Sequence, residues 1–414
     1  MNTIEQQANG KMKQKIPTIT PRVDAGGPED RVAAPPTGVD PTLTKLRQIE
    51  NELNATFAER DRENRGVLIA LLAREHVLLL GPAGTAKSAL ANTVCTALDG
   101  AKFFQWLLTR FSTPEEIFGP VSLTALKNDR FSRVTVGKLP ECHVAFLDEI
   151  YKANSAVLNS LLTAINERGF DNDGGRTAIP LETVVGASNE LPEGPELAAL
   201  HDRFMLRYWT SYTKTPDAFR RLITGTEPQI TSTISLQELH AAQAQVEAMP
   251  VSEPAIEELF KLREEVKAQG IIASDRRWRK AVRVLKASAW MEGATEVTPE
   301  SFPILAHVLW ETVDQIAKLQ QVVSKYTSAE LAEAQEAADA VLELLNNLPP
   351  KGSDQYSQQL VSITKEMKKA HKRVSDLRDA CRGVQSKVRI AKIADDVQAK
   401  WKSLQQDARD ALGI

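Results

Sequence analysis

Between residues 76 and 212 five short apolar runs follow one another: HVLLLG (76–81), KFFQWLL (102–108), HVAFLD (143–148), TVVGAS (183–188) and MLRYWTSY (205–212). Segments with apolar residues at helical spacing, such as 88–98 and 154–166, lie between them. Continuous apolar strands with helical crossovers predict a parallel sheet covered on both faces. Upstream, Leu46, Ile49, Leu53 and Phe57, then Val67, Leu68, Leu71 and Leu72, predict two amphipathic helices over 43–73. Residues 214 to about 312 read as mostly helical, with breaks at ITGTEPQITSTIS and Gly270. Beyond 313 the pattern is helix only, and NNLPPKGSD (346–354) reads as the turn of a long helical hairpin. Residues 1–42, with Gly26-Gly27-Pro28, Pro35-Pro36 and few large apolar side chains, are expected to be a mobile tail.

Composition narrows this picture. A chain of 414 residues exceeds one ordinary core and predicts two or three units. The apolar fraction of 42% and charged fraction of 25% are those of a soluble globular protein. Without a long uncharged apolar run, and with a polar stretch from Met1 to Gly10, neither membrane insertion nor a signal peptide is expected; a cytoplasmic location follows as the default. Cys95, Cys142 and Cys381 are far apart and lack metal-ligand spacing, so they read as buried thiols. A net charge of -3 gives no reason to expect nucleic acid as a partner of the whole protein, although from Ser353 onward 13 Lys or Arg stand against 8 Asp or Glu.

The chemistry concentrates at strand ends. Gly81, Pro82, Ala83, Gly84, Thr85, Ala86, Lys87 and Ser88 form a G-x-x-x-x-x-K-S loop after an apolar strand, with Ala89 following at the head of a helix. Such a loop turns backbone N–H groups inward toward a phosphate, and the helix N-terminus adds its positive dipole end. Lys87 would reach the outer phosphates and Ser88 would offer a hydroxyl to magnesium. Ala86 stands where a glycine is usual, which is tolerable if it keeps negative φ. The run VAFLDE ends in Asp148, suited to magnesium, and Glu149, suited to polarising a water; alternatively both acids cap the next helix. Asn189, in GASNE, could help position that water or simply make a turn. Arg203 and Arg207, in HDRFMLR, read either as solvated side chains or, for Arg203, as a contact to a neighbouring subunit's γ-phosphate. In SDRRWRKA (274–281) arginines oppose a helix dipole, and an anion held by Arg276 would resolve the conflict.

Together GPAGTAKS, RFSTPEEIFGP, FLDEIYKANSAVLNSLLTAINERGF, GASNELPEG, LHDRFMLRYW and SDRRW resemble the AAA+ ATPases, within them the MoxR family, and there the RavA-like branch. The resemblance covers roughly residues 43–312. It implies an α/β fold with a P-loop NTPase parallel-sheet core at 43–212, an all-α lid at 213–312, and here a helical C-terminal hairpin or bundle at 313–414. It also implies ATP and Mg2+ as cofactors. Gly81, Gly84, Lys87 and Ser88 match Walker A, Asp148 and Glu149 match Walker B, Asn189 matches sensor 1, Arg203 the arginine finger acting in trans, and Arg276 sensor 2. Ala before the lysine looks like the RavA-like form of the loop. The family's helix-2 insert would lie between Pro114 and Pro140 and its hairpin at 166–180. A homo-hexamer follows from the resemblance, each ATP lying between two subunits.

The leading expectation is therefore a chaperone-like ATPase that remodels, matures or activates a protein complex, with a von Willebrand factor A domain partner. A nucleic-acid-linked motor or defence ATPase is the alternative raised by the basic C-terminal segment, although its cations are interleaved with acids and aromatics for base stacking are nearly absent between Tyr356 and Trp401. An ATP-binding scaffold without turnover is a third.

Overall fold

In the computed structural model, residues 40–224, 230–346, 348, 354–381 and 384–412 are described. Residues 1–39 of the expected tail and most of the 346–354 turn lie outside them; residues 40–42, also counted in that tail, instead cap and start the first helix. Asp40 already caps the first helix, α1 (Pro41–Thr56): its carboxylate accepts from the backbone N–H of Thr42 at 2.7 Å and of Leu43 at 3.4 Å. A second helix, α2 (Asp61–Ala73), follows.

All five apolar runs form strands, β1 (His76–Leu80), β2 (Phe103–Leu107), β3 (Val144–Asp148), β4 (Thr183–Ser188) and β5 (Phe204–Trp209). They make one parallel sheet in the order β2-β3-β4-β1-β5. The register sets Leu80 beside Ser188 and Leu107 beside Asp148, so the loops after β1, β3 and β4 leave the same edge. Crossovers include α3 (Lys87–Thr96) and α4 (Ser155–Glu167).

Here α2 departs from the amphipathic expectation, since from Gly66 to Ala73 every residue is buried. It packs on β1 and β5 and is covered on its other side by later helices. Gly66 permits this approach, because a Cβ there would meet the Tyr208 hydroxyl at 2.3 Å.

After β4 come α5 (Pro195–His201), then, beyond β5, a short helix Pro216–Thr224, α6 (Leu236–Ala248), α7 (Glu253–Ala268) and α8 (Asp275–Met291). A capping box opens α6: Ser235 accepts from the Glu238 N–H at 3.2 Å, and the Glu238 carboxylate accepts from the Ser235 N–H at 2.8 Å. The segment expected to hold a hairpin does so: Gly169–Asn172 pairs antiparallel with Gly175–Ala178. Its turn residues Asp173 and Gly174 have φ of 52° and 75°, as a tight two-residue hairpin turn requires. After α9 (Gln315–Lys325), the helices α10 (Ala329–Asn346), α11 (Asp354–Ala380) and α12 (Val384–Leu412) pack on one another around two small apolar cores, one centred on Leu360 and Met367, the other on Val374 and Ile390. Cys95, Cys142 and Cys381 are all buried, and burial pushes the Cys95 thiol up to about 11. No helix among the described residues is long and apolar enough to cross a membrane.

Candidate functional site

The loop between β1 and α3 is shaped by close backbone packing. Gly81 has φ of 136°, and a Cβ there would lie 2.1 Å from the Thr210 carbonyl oxygen, so no side chain fits. Ala86 is the surprise: it sits at φ 64°, ψ 23°, in the left-handed region, not at the negative φ expected. A methyl carried there costs on the order of 1 kcal/mol. No side chain caps the first turn of α3, so the N–H groups there are not taken by a cap. Lys87, 8% exposed, donates to the carbonyls of Gly81 at 2.8 Å and Pro82 at 2.9 Å, and its ammonium lies 3.4 Å from the Asn189 amide oxygen. Burial lowers the Lys87 pKa, against the opposing pull of Asp148 and Glu149.

The two acids come from the end of β3. Asp148 accepts from the Glu149 backbone N–H at 2.9 Å. Glu149 has φ of 50° and starts a single 3-10 turn, Ile150–Lys152. Asn189 donates to Glu149 Oε1 at 2.8 Å. Glu149 Oε2 is buried without a hydrogen bond, with the Lys152 ammonium 3.3 Å away. Thus Lys87, Asn189, Glu149 and Asp148 form one connected group at the strand ends. Ser88 stands half-buried at the start of α3. Asp148 and Ser88 supply hard oxygen donors suited to Mg2+, which takes few protein ligands and completes its shell with water and phosphate. A Glu149 oxygen that makes no hydrogen bond, only the ion pair with Lys152, also fits a site built to hold a water. The residues present therefore fit ATP with Mg2+.

A second group surrounds Asp202. Arg276 hydrogen-bonds its Oδ2, Arg277 approaches Oδ1 at 3.3 Å, and Arg203 lies 3.8 Å away. Burial raises the Asp202 pKa, but the Arg276 hydrogen bond and the charge of Arg277 outweigh it and hold the carboxylate below its usual range. The anion facing the arginine-rich start of α8 is thus Asp202 of the same chain. Neither arginine of HDRFMLR is a fully exposed side chain, and Arg203 is half-buried. Arg207 is 1% exposed within β5 and donates to the carbonyls of Trp310, His201 and Phe204. Arg277 likewise is spent on Val308, Phe204 and Met205 carbonyls. Arg203 differs, because its Nε is buried without a hydrogen bond. No hydrogen bond or ion pair joins Arg203 or Arg276 to the Lys87 group among the described residues.

Sequence reasoning missed Arg60. This buried arginine donates to the carbonyls of Thr85 at 3.4 Å, Glu59 at 2.9 Å and Ser211 at 2.5 Å, bracing the loop from the N-terminal side. Beside it a cavity of about 110 Å³ is lined by Phe57, Gly84, Thr85, Ala86, Tyr212 and Leu222. The wall is built from segments as far apart in sequence as Phe57 and Leu222, and no local pattern announces it.

Comparison with known proteins agrees with this geometry. A family model described as the MoxR domain in MoxR-vWA-beta-propeller ternary systems matches residues 44–249, and one for an AAA lid domain matches 254–323. An uncharacterized protein of Methanocaldococcus jannaschii is 38% identical over 308 residues, 74% of this chain and 80% of its own. Protein MoxR of Paracoccus denitrificans is 26% identical, over 64% of this chain and 88% of its own. A crystal structure of a Cytophaga hutchinsonii protein shares the fold at a TM-score of 0.55 and 20% identity, covering 69% of this chain and 94% of that one. With its parallel sheet, its loop at the strand ends and these matches, the chain belongs to the MoxR family of AAA+ ATPases.

Proposed function

We propose that the chain binds ATP with Mg2+ on the 81–89 loop and hydrolyses it within a homo-hexameric ring. The observation that carries this is the Lys87–Asn189–Glu149 chain of contacts at one sheet edge, with the second Glu149 oxygen making no hydrogen bond and only an ion pair with Lys152. Lys87, turning from the loop carbonyls, holds the outer phosphates together with the α3 N-terminus. Ser88 and Asp148 hold Mg2+, which when bound neutralises phosphate charge. Glu149 accepts a proton-side hydrogen bond from the attacking water, and Asn189 fixes the rotamer of Glu149 so that the water is aimed. Arg203 completes the site of an adjacent subunit, and Arg276 exchanges Asp202 for phosphate when the lid closes. On this reading 43–212 is the nucleotide-binding core, 213–312 the lid and 313–414 a separate helical domain.

The ring's work, on this reading, is chaperone-like: it remodels, matures or activates a protein complex with a von Willebrand factor A domain partner. The description of the matching family model supports that partner. Placement in the RavA-like branch rests on Ala86 and the motifs around it. A cytoplasmic location remains part of the proposal. A nucleic-acid role gains little support from α11, where Lys369 pairs with Glu366 and Arg378 with Asp379. Turnover by wild type and Glu149→Gln, measured under conditions that assemble the ring, tests hydrolysis. A rate for wild type that Glu149→Gln loses supports it; equal and negligible rates support a scaffold. Mixing Arg203→Ala with Lys87→Ala subunits tests the finger in trans, since some interfaces then regain an intact pair.

A further inference from the structure

Two residues inside the quoted motifs, neither assigned a role from sequence, connect the ends of this machinery. Tyr151 lies in the 3-10 turn that Glu149 begins, and His201 is the last residue of α5, two positions before Arg203. Both are buried, at 8% and 5% exposure, and the Tyr151 hydroxyl is 2.5 Å from His201 Nδ1. We propose that the Tyr151–His201 pair is a positioning relay through which the state of a subunit's own Glu149 sets the placement of its Arg203. This rests on the reading that Arg203 serves the neighbouring subunit's ATP.

The segment around His201 is held so that a push at one end is felt at the other. Arg207 donates to the His201 carbonyl at 3.1 Å, and Trp310 meets the His201 ring edge-on with centroids 6.5 Å apart. Arg276 and Arg277 grip Asp202 from the far side. Arg203, next in sequence, is the one residue of this stretch whose head is not anchored by a close contact, its ion pair being stretched to 3.8 Å.

The line is also incompletely satisfied. Six buried side-chain polar atoms lack a hydrogen-bond partner among the described residues, and three of them, Glu149 Oε2, His201 Nε2 and Arg203 Nε, fall on this path. Burial, then the charges of Arg207 and Arg277, hold His201 at about 2, so its ring is neutral and carries a single N–H. With Nδ1 accepting from Tyr151, that N–H sits on Nε2, facing no acceptor. In the other tautomer Nε2 is an orphaned acceptor. A buried polar atom left without a partner disfavours the state that contains it. A non-glycine residue at φ 50°, Glu149, adds strain at the other end. On the proposed relay this arrangement is one of two positions, and what binds Glu149 biases the choice.

Full-length rings carrying Tyr151→Phe, which keeps the ring and removes the hydroxyl, should lose about tenfold in kcat, with KM and fluorescent-ADP affinity changed less than about twofold. His201→Ala should behave alike, whereas His201→Asn, which can accept from the tyrosine in place of Nδ1, should recover to within about threefold of wild type. The decisive measurement is the double variant. Arg203→Lys keeps the charge but loses the fork. If Tyr151 works through Arg203, Tyr151→Phe/Arg203→Lys will turn over no more slowly than Arg203→Lys alone, within about twofold. Multiplying losses, or a Tyr151→Phe ring within twofold of wild-type kcat, overturn the relay. Should Tyr151→Phe not assemble, the His201→Asn and His201→Ala rings decide, with equal loss in both counting against it. An Arg203→Lys ring with wild-type turnover would instead undercut the trans reading beneath it.

Discussion

The two edges of the sheet are built to opposite rules. At the start of the strands, Glu75 is 1% exposed and paired with Lys280 at 2.8 Å and Arg283 at 3.9 Å. Glu182 takes hydrogen bonds from Gln243 and His240, both at 2.9 Å. Both His76 nitrogens are used, by the Ile165 carbonyl and the Val184 N–H, each at 3.0 Å. At the strand ends, by contrast, Glu149 Oε2 makes no hydrogen bond and has only the Lys152 ammonium at 3.3 Å, and Ala86 and Glu149 sit at positive φ where helical turns begin. Arg203 Nε, just ahead of β5, is the exception at the first edge. Saturated buried polar groups fix one arrangement, whereas unsatisfied ones leave room for a ligand or for a second arrangement. The first edge reads as stability and the second as function.

Substitutions at the two edges should therefore separate. Lys87→Ala and Glu149→Gln should each cut ATP turnover by about 10³-fold while leaving the thermal midpoint within about 2 °C. A fall in midpoint as large as in the next variant would erase the distinction. Glu75→Ala removes the partner of the partly covered Lys280 and should destabilise by about 3 kcal/mol, read by urea unfolding, with ADP affinity retained.

Why these edges differ in legibility follows from what a sequence can carry. The five strands were readable because burial on both faces forces continuous apolar runs, and the loop, Asp148, Glu149 and Asn189 because they follow those runs directly. Arg207 misled for a physical reason: charged side chains are seldom fully buried, and only the structure reveals the carbonyls that satisfy it. Arg60 and the Tyr151–His201 contact depend on segments far apart in sequence, so no spacing encodes them. The φ of Ala86 was invisible because one letter does not state a backbone angle. The enclosure of α2 had a trace in Leu68 to Ala73, six apolar residues in a row, which exceeds an amphipathic stripe.

Acid should weaken the buried interior gradually. Burial holds His76 at about 3 with Arg168 adding to the effect, His201 at about 2, and His307 at about 4, against 6.5 for the free side chain. Above pH 6.5 neither folded nor unfolded chain binds these protons, and the full stability is present. As pH falls from 6.5 toward 4 the unfolded chain takes up protons that the fold refuses, so each histidine removes about 1.4 kcal/mol per pH unit. Urea midpoints measured from pH 7 to 5 should show this decline, and His307→Gln should make it shallower by one proton's worth.

The smallest effect tests the comparison most closely, because left-handed residues occur at both edges. Arg74, at φ 53°, is the C-cap of α2, a place where that conformation ends a helix and satisfies its last carbonyls: its N–H reaches Leu71 at 3.2 Å. Its guanidinium also lies 3.4 Å from Glu182. Ala86 instead precedes a helix, where no such bond rewards the conformation. Glycine at either position relieves the backbone, but only at 86 is nothing else lost. Ala86→Gly should therefore raise stability by about 0.5–1 kcal/mol after the added freedom of the unfolded chain is counted, and Arg74→Gly should be neutral or destabilising. Equal gains at both positions would mean that the strain at Ala86 is ordinary turn strain and not a feature of the nucleotide edge.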